Sequence, residues 1–135
     1  MDLYEKIEAI EQECFDSPWT YEMIVYTVAN PLSVLSIEVV EGNALGFALG
    51  RVIAGEGELL RLGTLERCRR QGIAEKLLTS LFEKMRECDG EVCFLEVRSK
   101  NVPAISLYKK HGFTQVGIRR RYYGDDDALV MRKDL

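Results

Sequence analysis

The stretch Arg69-Arg70-Gln71-Gly72-Ile73-Ala74 lies between an apolar, strand-like run at 59–65 and a helix-like run at 73–85. A glycine-containing turn at such a junction leaves the first backbone N–H groups of the helix without partners. With the positive end of the helix dipole, these groups form a site for a phosphate or pyrophosphate. Guanidinium groups grip phosphate oxygens, and two arginines begin the turn. The stretch therefore predicts a phosphate-binding turn between a strand and a helix.

Length and composition indicate one domain, residues 1–135. Of the 135 residues, 47% are hydrophobic, enough for a core, and 30% are charged. The net charge of −4 argues against direct nucleic-acid binding, which needs a basic face, and composition favours no particular oligomeric state. There is no apolar run long enough for a membrane span and no signal-peptide pattern in the acidic start at 1–5. We therefore expect a cytoplasmic protein without membrane contact.

The cysteines argue against a metal site. Cys14, Cys68, Cys88 and Cys93 form no C-x-x-C pair, and the chain has one histidine, His111. We therefore expect no structural zinc and no other metal. Two of the cysteines, at 88 and 93, could approach each other across a helix-to-strand turn, but a cytosolic setting favours reduced thiols.

Hydrophobic periodicity and turn residues predict the order α-α-β-β-β-α-β-α-β-β, which describes a mixed sheet with helices packed on its faces. Gly63, inside the third strand, indicates a bulge or the close approach of another group to the backbone. Thr20 and Asn101 are expected to cap the second and fourth helices. The expected helices are at 3–14, 21–29, 72–87 and between Asn101 and Gly112, and the strands at 33–40, 44–53, 58–65, 92–97, 113–123 and 129–133.

With these elements in place, the chain resembles the GNAT superfamily of acetyl-CoA-dependent N-acetyltransferases over nearly its whole length. The motif R/Q-x-x-G-x-G/A is met by Arg69, Gly72 and Ala74. A second motif, N-x-x-A-x-x-x-Y followed by Gly-Phe, is met by Asn101, Ala104, Tyr108, Gly112 and Phe113. The resemblance implies an α/β (α+β) fold with a mixed, mostly antiparallel sheet and helices on both faces, and it implies acetyl-CoA as cosubstrate.

Four local matches are similar to the RimI-type N-alpha-acetyltransferases, which acetylate protein N-termini. They are the segments FDSPWT at 15–20, LEVR at 95–98, IRRRYY at 118–123 and DALVM at 127–131. Two features depart from the family pattern: alanine stands at 74, where glycine is commoner, and 65–68 lacks the usual proline. Neither removes a backbone donor. The resemblance implies acetyl transfer to the α-amine of a protein or peptide N-terminus, with a ribosomal protein as one candidate.

Glu96 is the candidate general base. An amine must be neutral to attack, and an α-amine, with a pKa of about 7.7–8.0, loses its proton more readily than lysine at about 10.4. Strand alternation puts Phe94 and Glu96 on one face, where a covered sheet would desolvate the carboxylate and strengthen it as a base. The glutamate of L-E-V-R is the proton acceptor that the resemblance implies. The alternative is a strand-end glutamate paired with Arg98 or Arg61.

Tyr108 is the candidate acid for the departing thiolate. The resemblance implies a helix that brings this residue beside the thioester sulfur. The alternative is a core tyrosine that fills a helix–sheet interface. Asn101 is expected either to contact the cofactor or to serve only as an N-cap worth about 1 kcal/mol.

The remaining candidates bind cofactor or acceptor. The resemblance implies that backbone groups of Leu62, Gly63 and Thr64 face the pantetheine arm, unless a neighbouring strand pairs with them. The candidate phosphate loop comprises Arg69, Arg70, Gln71, Gly72, Ile73, Ala74 and Glu75, with a solvated basic turn as the alternative. Candidate walls for the acceptor are Trp19, Tyr122 and Tyr123, which ordinary packing also explains.

Three alternatives to N-terminal acetylation stay open. An acetyltransferase for a small amine or a lysine side chain would carry the same cofactor loop. A catalytically silent acyl-CoA-binding module would lack the base and acid that Glu96 and Tyr108 offer. A nucleotide-binding protein is disfavoured because neither G-x-x-x-x-G-K-[ST] nor G-x-G-x-x-G occurs.

Asp125–Asp127 could attract a cationic N-terminus, although a turn in solvent explains the three acids more simply.

Overall fold

The computed structural model describes all 135 residues. The elements follow the predicted order, and apart from the fifth strand their bounds differ from the predicted ones by at most two residues. They are α1 Leu3–Cys14, α2 Tyr21–Val28, β1 Ser33–Val40, β2 Asn43–Ile53, β3 Glu56–Thr64, a 3₁₀ helix Glu66–Cys68, α3 Ile73–Glu87, β4 Val92–Arg98, α4 Val102–Lys110, β5 Thr114–Arg119 and β6 Ala128–Asp134.

Side-chain caps begin three of the helices. Thr20 accepts from the backbone N–H of Met23 at 3.3 Å, and Asn101 accepts from that of Ala104 at 3.3 Å, so both predicted caps are confirmed. Asp2 and Glu5 form a capping box at the start of α1, which the sequence analysis missed. None of the helices is long and apolar enough to cross a membrane.

β5 ends at Arg119, so the strand predicted to reach residue 123 is too long. Arg121 has a left-handed backbone with φ of 54°, and its carbonyl accepts from the N–H of Gly124 at 3.1 Å. The N–H of Tyr123 bonds to the carbonyl of Asp126 at 3.0 Å. The aromatic pair at 122–123 suggested a strand, but a turn carries these side chains instead.

The six strands form one sheet in the order β1-β2-β3-β4-β6-β5. Only β3 and β4 are parallel, so the predicted mixed, mostly antiparallel sheet is confirmed. Their pairing joins only Glu56–Glu58 to Val92–Phe94. Beyond Glu58 the two strands are unpaired. We call this gap in the middle of the sheet the β3–β4 opening.

A bulge in β3 lies just inside the opening. The register with β2 pairs Gly50 with Leu59 and Leu49 with Arg61, which leaves Leu60 as an extra residue. Gly63, where a bulge or a close approach was expected, lies beyond the bulge and is closely approached. A Cβ added there would lie 3.2 Å from side-chain atoms of both Ile10 and Phe15.

Helices cover both faces, as predicted. One core lies between α3 and the sheet and contains Leu77, Leu78, Leu81 and Met85 with Cys93, Leu95 and Val97. The other lies under α1 and α2 and contains Ile7, Ile10 and Ile24 with Phe47 and Leu49. Burial of each such side chain contributes about 1.5–3 kcal/mol. The main sheet contacts of α1 and α2 are with β1, β2 and β3, on one side of the β3–β4 opening.

Candidate active site

The loop between β3 and α3 contains two left-handed residues, Arg70 with φ of 62° and Gly72 with φ of 77°. Gly72 is the N-cap of α3, and no side chain bonds to the N–H groups of the first turn. The short 3₁₀ helix that leads into the loop was not predicted. The unpaired N–H groups, at the positive end of a helix of 15 residues, fit an anion.

A cavity of about 320 Å³ lies at this loop, between the end of β3 and α4. Seven predicted cofactor residues line it: Thr64, Arg69, Arg70, Gly72, Ile73, Ala74 and Glu75. Cys68 and Leu107 also line it and were missed, although Leu107 directly precedes Tyr108 on the predicted helix. Gln71 does not line it, and its side-chain amide donates to the carbonyl of Arg67 at 3.3 Å.

Thr64 has an unused hydrogen-bonding group at the cavity. Its hydroxyl oxygen is buried and has no partner within the chain. An unsatisfied buried polar group costs about 1–3 kcal/mol, and a ligand bonded to it would remove that cost. The Thr64 carbonyl already accepts from Arg69 Nε at 3.1 Å and Cys14 Sγ at 3.3 Å. The half-buried Leu62 packs on the α3 core, whereas Gly63 faces α1.

Glu75 and Lys110 form an ion pair that joins the start of α3 to the end of α4. The hydrogen bond from Lys110 is the main reason that the pKa of Glu75 is lowered. His111 Nε2 lies 4.0 Å from Glu75 Oε1, buried and without a hydrogen-bond partner. The ion pair fixes two sides of the cavity relative to each other.

Tyr108 packs on the same face of the sheet as the cavity. Its ring lies 5.8 Å from that of Phe113, edge to face, against the α3 core. Burial raises the pKa of its phenol to about 12, so the hydroxyl keeps its proton at neutral pH. The ring thus fills the helix–sheet interface, as expected of a core tyrosine. The hydroxyl is protonated, as an acid for the thiolate requires.

Glu96 lies on the opposite face of β4 from Cys93, Leu95 and Val97. Its Oε1 is 3.2 Å from Arg119 Nε, and its side chain is 28% exposed. Glu96 is therefore partly buried, on the face of the sheet opposite α3, and its desolvation stays a prediction. The partner of Glu96 is Arg119 and not Arg98 or Arg61, the two arginines that the alternative interpretation named.

Both of those arginines bind elsewhere. Arg98 lies over the ring of Tyr123 at 4.2 Å, and Arg61 bonds to Glu11. Burial, and next the charge of Glu96, raise the pKa of Tyr123. Tyr123 also contributes to the raised pKa of Tyr108.

The other two candidate acceptor walls differ in exposure. Tyr122 is exposed, and its ring meets that of Tyr123 edge to face at 5.1 Å. Trp19, in the connection between α1 and α2, is half-buried against the guanidinium of Arg61 at 4.9 Å. A second cavity, of about 400 Å³, is lined by Trp19, Glu22, Met23, Tyr26 and Thr27.

The acidic turn is solvated only in part, since Asp125 is exposed whereas Asp126 is not. Asp126 is buried and accepts hydrogen bonds from the hydroxyl of Ser99 and the N–H of Lys100, which lower its pKa. Asp127 accepts from the N–H of Arg121 at 2.7 Å. These bonds fasten the turn that carries the two tyrosines to the segment just before α4. Asn101 caps α4 but does not line the main cavity, so a contact with cofactor stays a prediction.

The cysteines and the acidic residues provide no metal site. All four cysteines are free thiols in the structure. No three His, Cys, Asp or Glu side chains are grouped so that they could hold a metal ion.

Comparisons with known proteins agree with this geometry. The model of the acetyltransferase (GNAT) family matches residues 2–113. The N-alpha-acetyltransferase RimI of Mycobacterium tuberculosis is 35% identical over 88% of this chain and 77% of its own length. The [ribosomal protein bS18]-alanine N-acetyltransferase of Escherichia coli is 30% identical over 90% of this chain and 84% of its own length.

A solved structure extends the likeness to three dimensions. The crystal structure of the ribosomal-protein-S18-alanine N-acetyltransferase from Escherichia coli superposes with a TM-score of 0.89 and 27% identity, over 97% of this chain and 86% of that one. The unpaired N–H groups, the arginines and the orphan Thr64 hydroxyl fit the diphosphate and amide groups of acetyl-CoA. The chain therefore belongs to the GNAT family, with RimI-type relatives, and is an acetyl-CoA-dependent N-acetyltransferase.

Proposed function

We propose that this enzyme transfers the acetyl group of acetyl-CoA to the α-amino group of a protein or peptide N-terminus, and that a ribosomal protein is one such acceptor. The names of the two relatives support this acceptor class. The β3–β4 opening is the observation that carries the mechanism, because it connects the face with Thr64 and Tyr108 to the face with Glu96. We place the reaction in the cytoplasm, where acetyl-CoA and newly made N-termini occur together.

Cofactor binding in this proposal uses the β3–α3 loop. The diphosphate accepts hydrogen bonds from the first-turn N–H groups of α3, with Arg69 and Arg70 at its rim. The pantetheine arm runs along the half of β3 that pairs with β2 but not with β4, where Leu62, Gly63 and Thr64 lie. The Thr64 hydroxyl donates to or accepts from an amide of the arm. These contacts direct the thioester into the β3–β4 opening.

Attack requires a neutral amine on the Glu96 side. Glu96 accepts the amine proton, directly or through a water molecule, as the new N–C bond forms. The lower pKa of an α-amine makes deprotonation about 3.5 kcal/mol easier than for lysine at neutral pH. Trp19, Tyr122 and Tyr123 form walls for the first residues of the acceptor.

Departure of coenzyme A breaks the C–S bond and requires a proton on sulfur. A phenol with a pKa of about 12 is too weak an acid to protonate a free thiolate, because the corresponding thiol has a pKa near 8.5. Tyr108 therefore donates its proton as the C–S bond breaks. Solvent then reprotonates the phenolate while Glu96 releases the amine proton to solvent, which restores both groups. The tetrahedral intermediate is stabilised by backbone N–H groups at the β3–β4 opening.

The acceptor class is tested by comparing peptides that differ only at the N-terminus. Thiol release from acetyl-CoA is followed with a free peptide and with the same peptide carrying a blocked terminus. We expect release only with the free terminus. Equal rates would disprove the assignment, and a panel of polyamines, amino acids and blocked lysine peptides would then distinguish a small-amine or lysine enzyme. Absence of release with all of them would indicate a silent module.

A further inference from the structure

Glu11 is a fully buried carboxylate on α1. Arg61 of β3 binds it with two hydrogen bonds, one of them from Nε to Oε2 at 2.9 Å. Glu11 Oε1 also accepts from the backbone N–H of Trp19 at 2.9 Å. The carboxylate therefore joins α1, β3 and the connection between α1 and α2.

Two aromatic rings hold the Arg61 guanidinium. Its central carbon lies 3.8 Å from the ring centre of Phe15 and 4.9 Å from that of Trp19. A planar guanidinium stacks on aromatic rings while its fork bonds to a carboxylate, which lysine cannot do. Both rings belong to the α1–α2 connection, so Arg61 fixes that connection to β3.

The location of Arg61 relates this contact to the acceptor site. The bulge at Leu60 turns the Arg61 side chain toward α1. Strand alternation gives Glu96 the same face of the sheet, across the β3–β4 opening. We propose that the Glu11–Arg61 pair is a positioning device that holds Trp19 as a wall of the peptide acceptor site. This inference rests on the proposed function, in which Trp19 contacts the acceptor.

A purely stabilising role explains the pair poorly. Burying two charges costs desolvation energy, and hydrophobic residues of similar volume often stabilise a core as well or better. Unlike such residues, the pair makes directional contacts. Two hydrogen bonds fix the Arg61 guanidinium on Glu11, the guanidinium lies against the Trp19 ring, and Glu11 accepts from the Trp19 N–H. Its expected effect is therefore on acceptor binding, with little effect on chemistry or on acetyl-CoA.

The test uses Arg61→Lys, which keeps the charge beside Glu11 but loses the fork and the stacking. The double variant Glu11→Gln, Arg61→Gln replaces both charges by amides and serves if the first does not fold. Arg51→Gln is the matched control, since Arg51 forms an exposed ion pair with Glu58 on the neighbouring strands. Initial rates are measured with the peptide and acetyl-CoA varied separately. Trp19 is the only tryptophan, so its fluorescence reports acceptor binding directly.

We expect the KM of the peptide to rise about tenfold in a folded Arg61 variant, which corresponds to about 1.4 kcal/mol of acceptor binding. The kcat and the KM of acetyl-CoA should stay within about twofold of the wild-type values. The Trp19 emission should shift without ligand, and Arg51→Gln should change nothing. An unchanged peptide KM, or equal losses in all three constants, would overturn the inference. If the wild type does not distinguish free from blocked N-termini, the proposed function fails instead.

Discussion

The Tyr108 hydroxyl sits on a ring that packs edge to face against Phe113, and burial raises its pKa to about 12. One side chain therefore combines a packing role with the protonation state of an acid. Substitution by phenylalanine keeps the ring and removes only the hydroxyl, which makes it possible to measure the two roles separately.

We predict that Tyr108→Phe lowers turnover more than about tenfold, because a positioned proton donor contributes at least that much. The affinity for acetyl-CoA should hardly change, since Tyr108 does not line the phosphate cavity. Steady-state kinetics and calorimetric titration with acetyl-CoA measure the two effects. Turnover equal to wild type would remove Tyr108 from the mechanism.

The raised pKa of Tyr108 also predicts an effect of pH on stability. The unfolded phenol ionises near pH 10 and the folded one near pH 12, so stability from this group is intact below pH 10 and is lost as pH rises to 12. Between these values the free energy of unfolding should fall more steeply for wild type than for Tyr108→Phe. Urea denaturation at several pH values tests this, and parallel curves would contradict it.

Glu96→Gln should reduce kcat/KM, with the largest loss at low pH, where the acceptor amine is most protonated and most needs a base. Glutamine is similar in size and keeps a hydrogen-bond acceptor for Arg119, so folding should be preserved. A pH–rate profile of the variant and wild type is the measurement. A uniform loss at all pH values would assign Glu96 a role other than proton acceptance.

At the scale of elements, the β3–α3 loop depends on the left-handed backbone of Gly72, where a Cβ would meet no atom within 4 Å. Gly42, in the β1–β2 turn, has φ of 81° and equally open surroundings. The two glycines therefore differ in location but not in local strain.

Alanine at either position should cost about 1 kcal/mol of stability, since left-handed backbone is unfavourable for L-residues. Only Gly72→Ala should raise the KM of acetyl-CoA severalfold, because strain there shifts the N–H groups that face the diphosphate. Thermal unfolding and steady-state kinetics on both variants check this. Equal acetyl-CoA constants would indicate that the loop does not bind the diphosphate.

Asp126 connects the β5–β6 turn to the segment before α4. Its lowered pKa means that its contribution to stability is present above the usual aspartate range, about pH 4, and is lost as pH falls through the lower folded value. Asp126→Asn should lower the melting temperature at pH 7 and have less effect near pH 3. The exposed neighbour Asp125, changed to Asn, is the control. An equal drop in melting temperature at pH 7 and pH 3 would show that the ionised Asp126 carboxylate does not stabilise the turn.

Prediction from sequence succeeded where the signal is local. The β3–α3 loop is six consecutive residues, and the caps at Thr20 and Asn101 act within three residues. The ion pair between Glu11 and Arg61 joins residues fifty positions apart, and no periodicity indicates such a pair. The end of β5 was missed because aromatic residues favour strands, whereas hydrogen bonds to Asp126 and Asp127 hold this segment as a turn.

At the scale of the molecule, the two faces of the sheet carry different functional groups. The face under α3 and α4 carries the phosphate loop, Thr64 and Tyr108, and the other face carries Glu96 and the connection with Trp19. Because β3 and β4 pair over only three residues each, the β3–β4 opening lies between them. In the proposed mechanism, the thioester reaches the acceptor amine through this opening.

A crystal structure of the chain with acetyl-CoA would show whether the thioester enters the β3–β4 opening. We expect the diphosphate on the N–H groups at the start of α3 and the thioester sulfur within hydrogen-bonding distance of the Tyr108 hydroxyl. The acetyl carbon should face Glu96 through the β3–β4 opening. A thioester bound outside the opening, with Tyr108 and Glu96 on separate surfaces, would contradict the account.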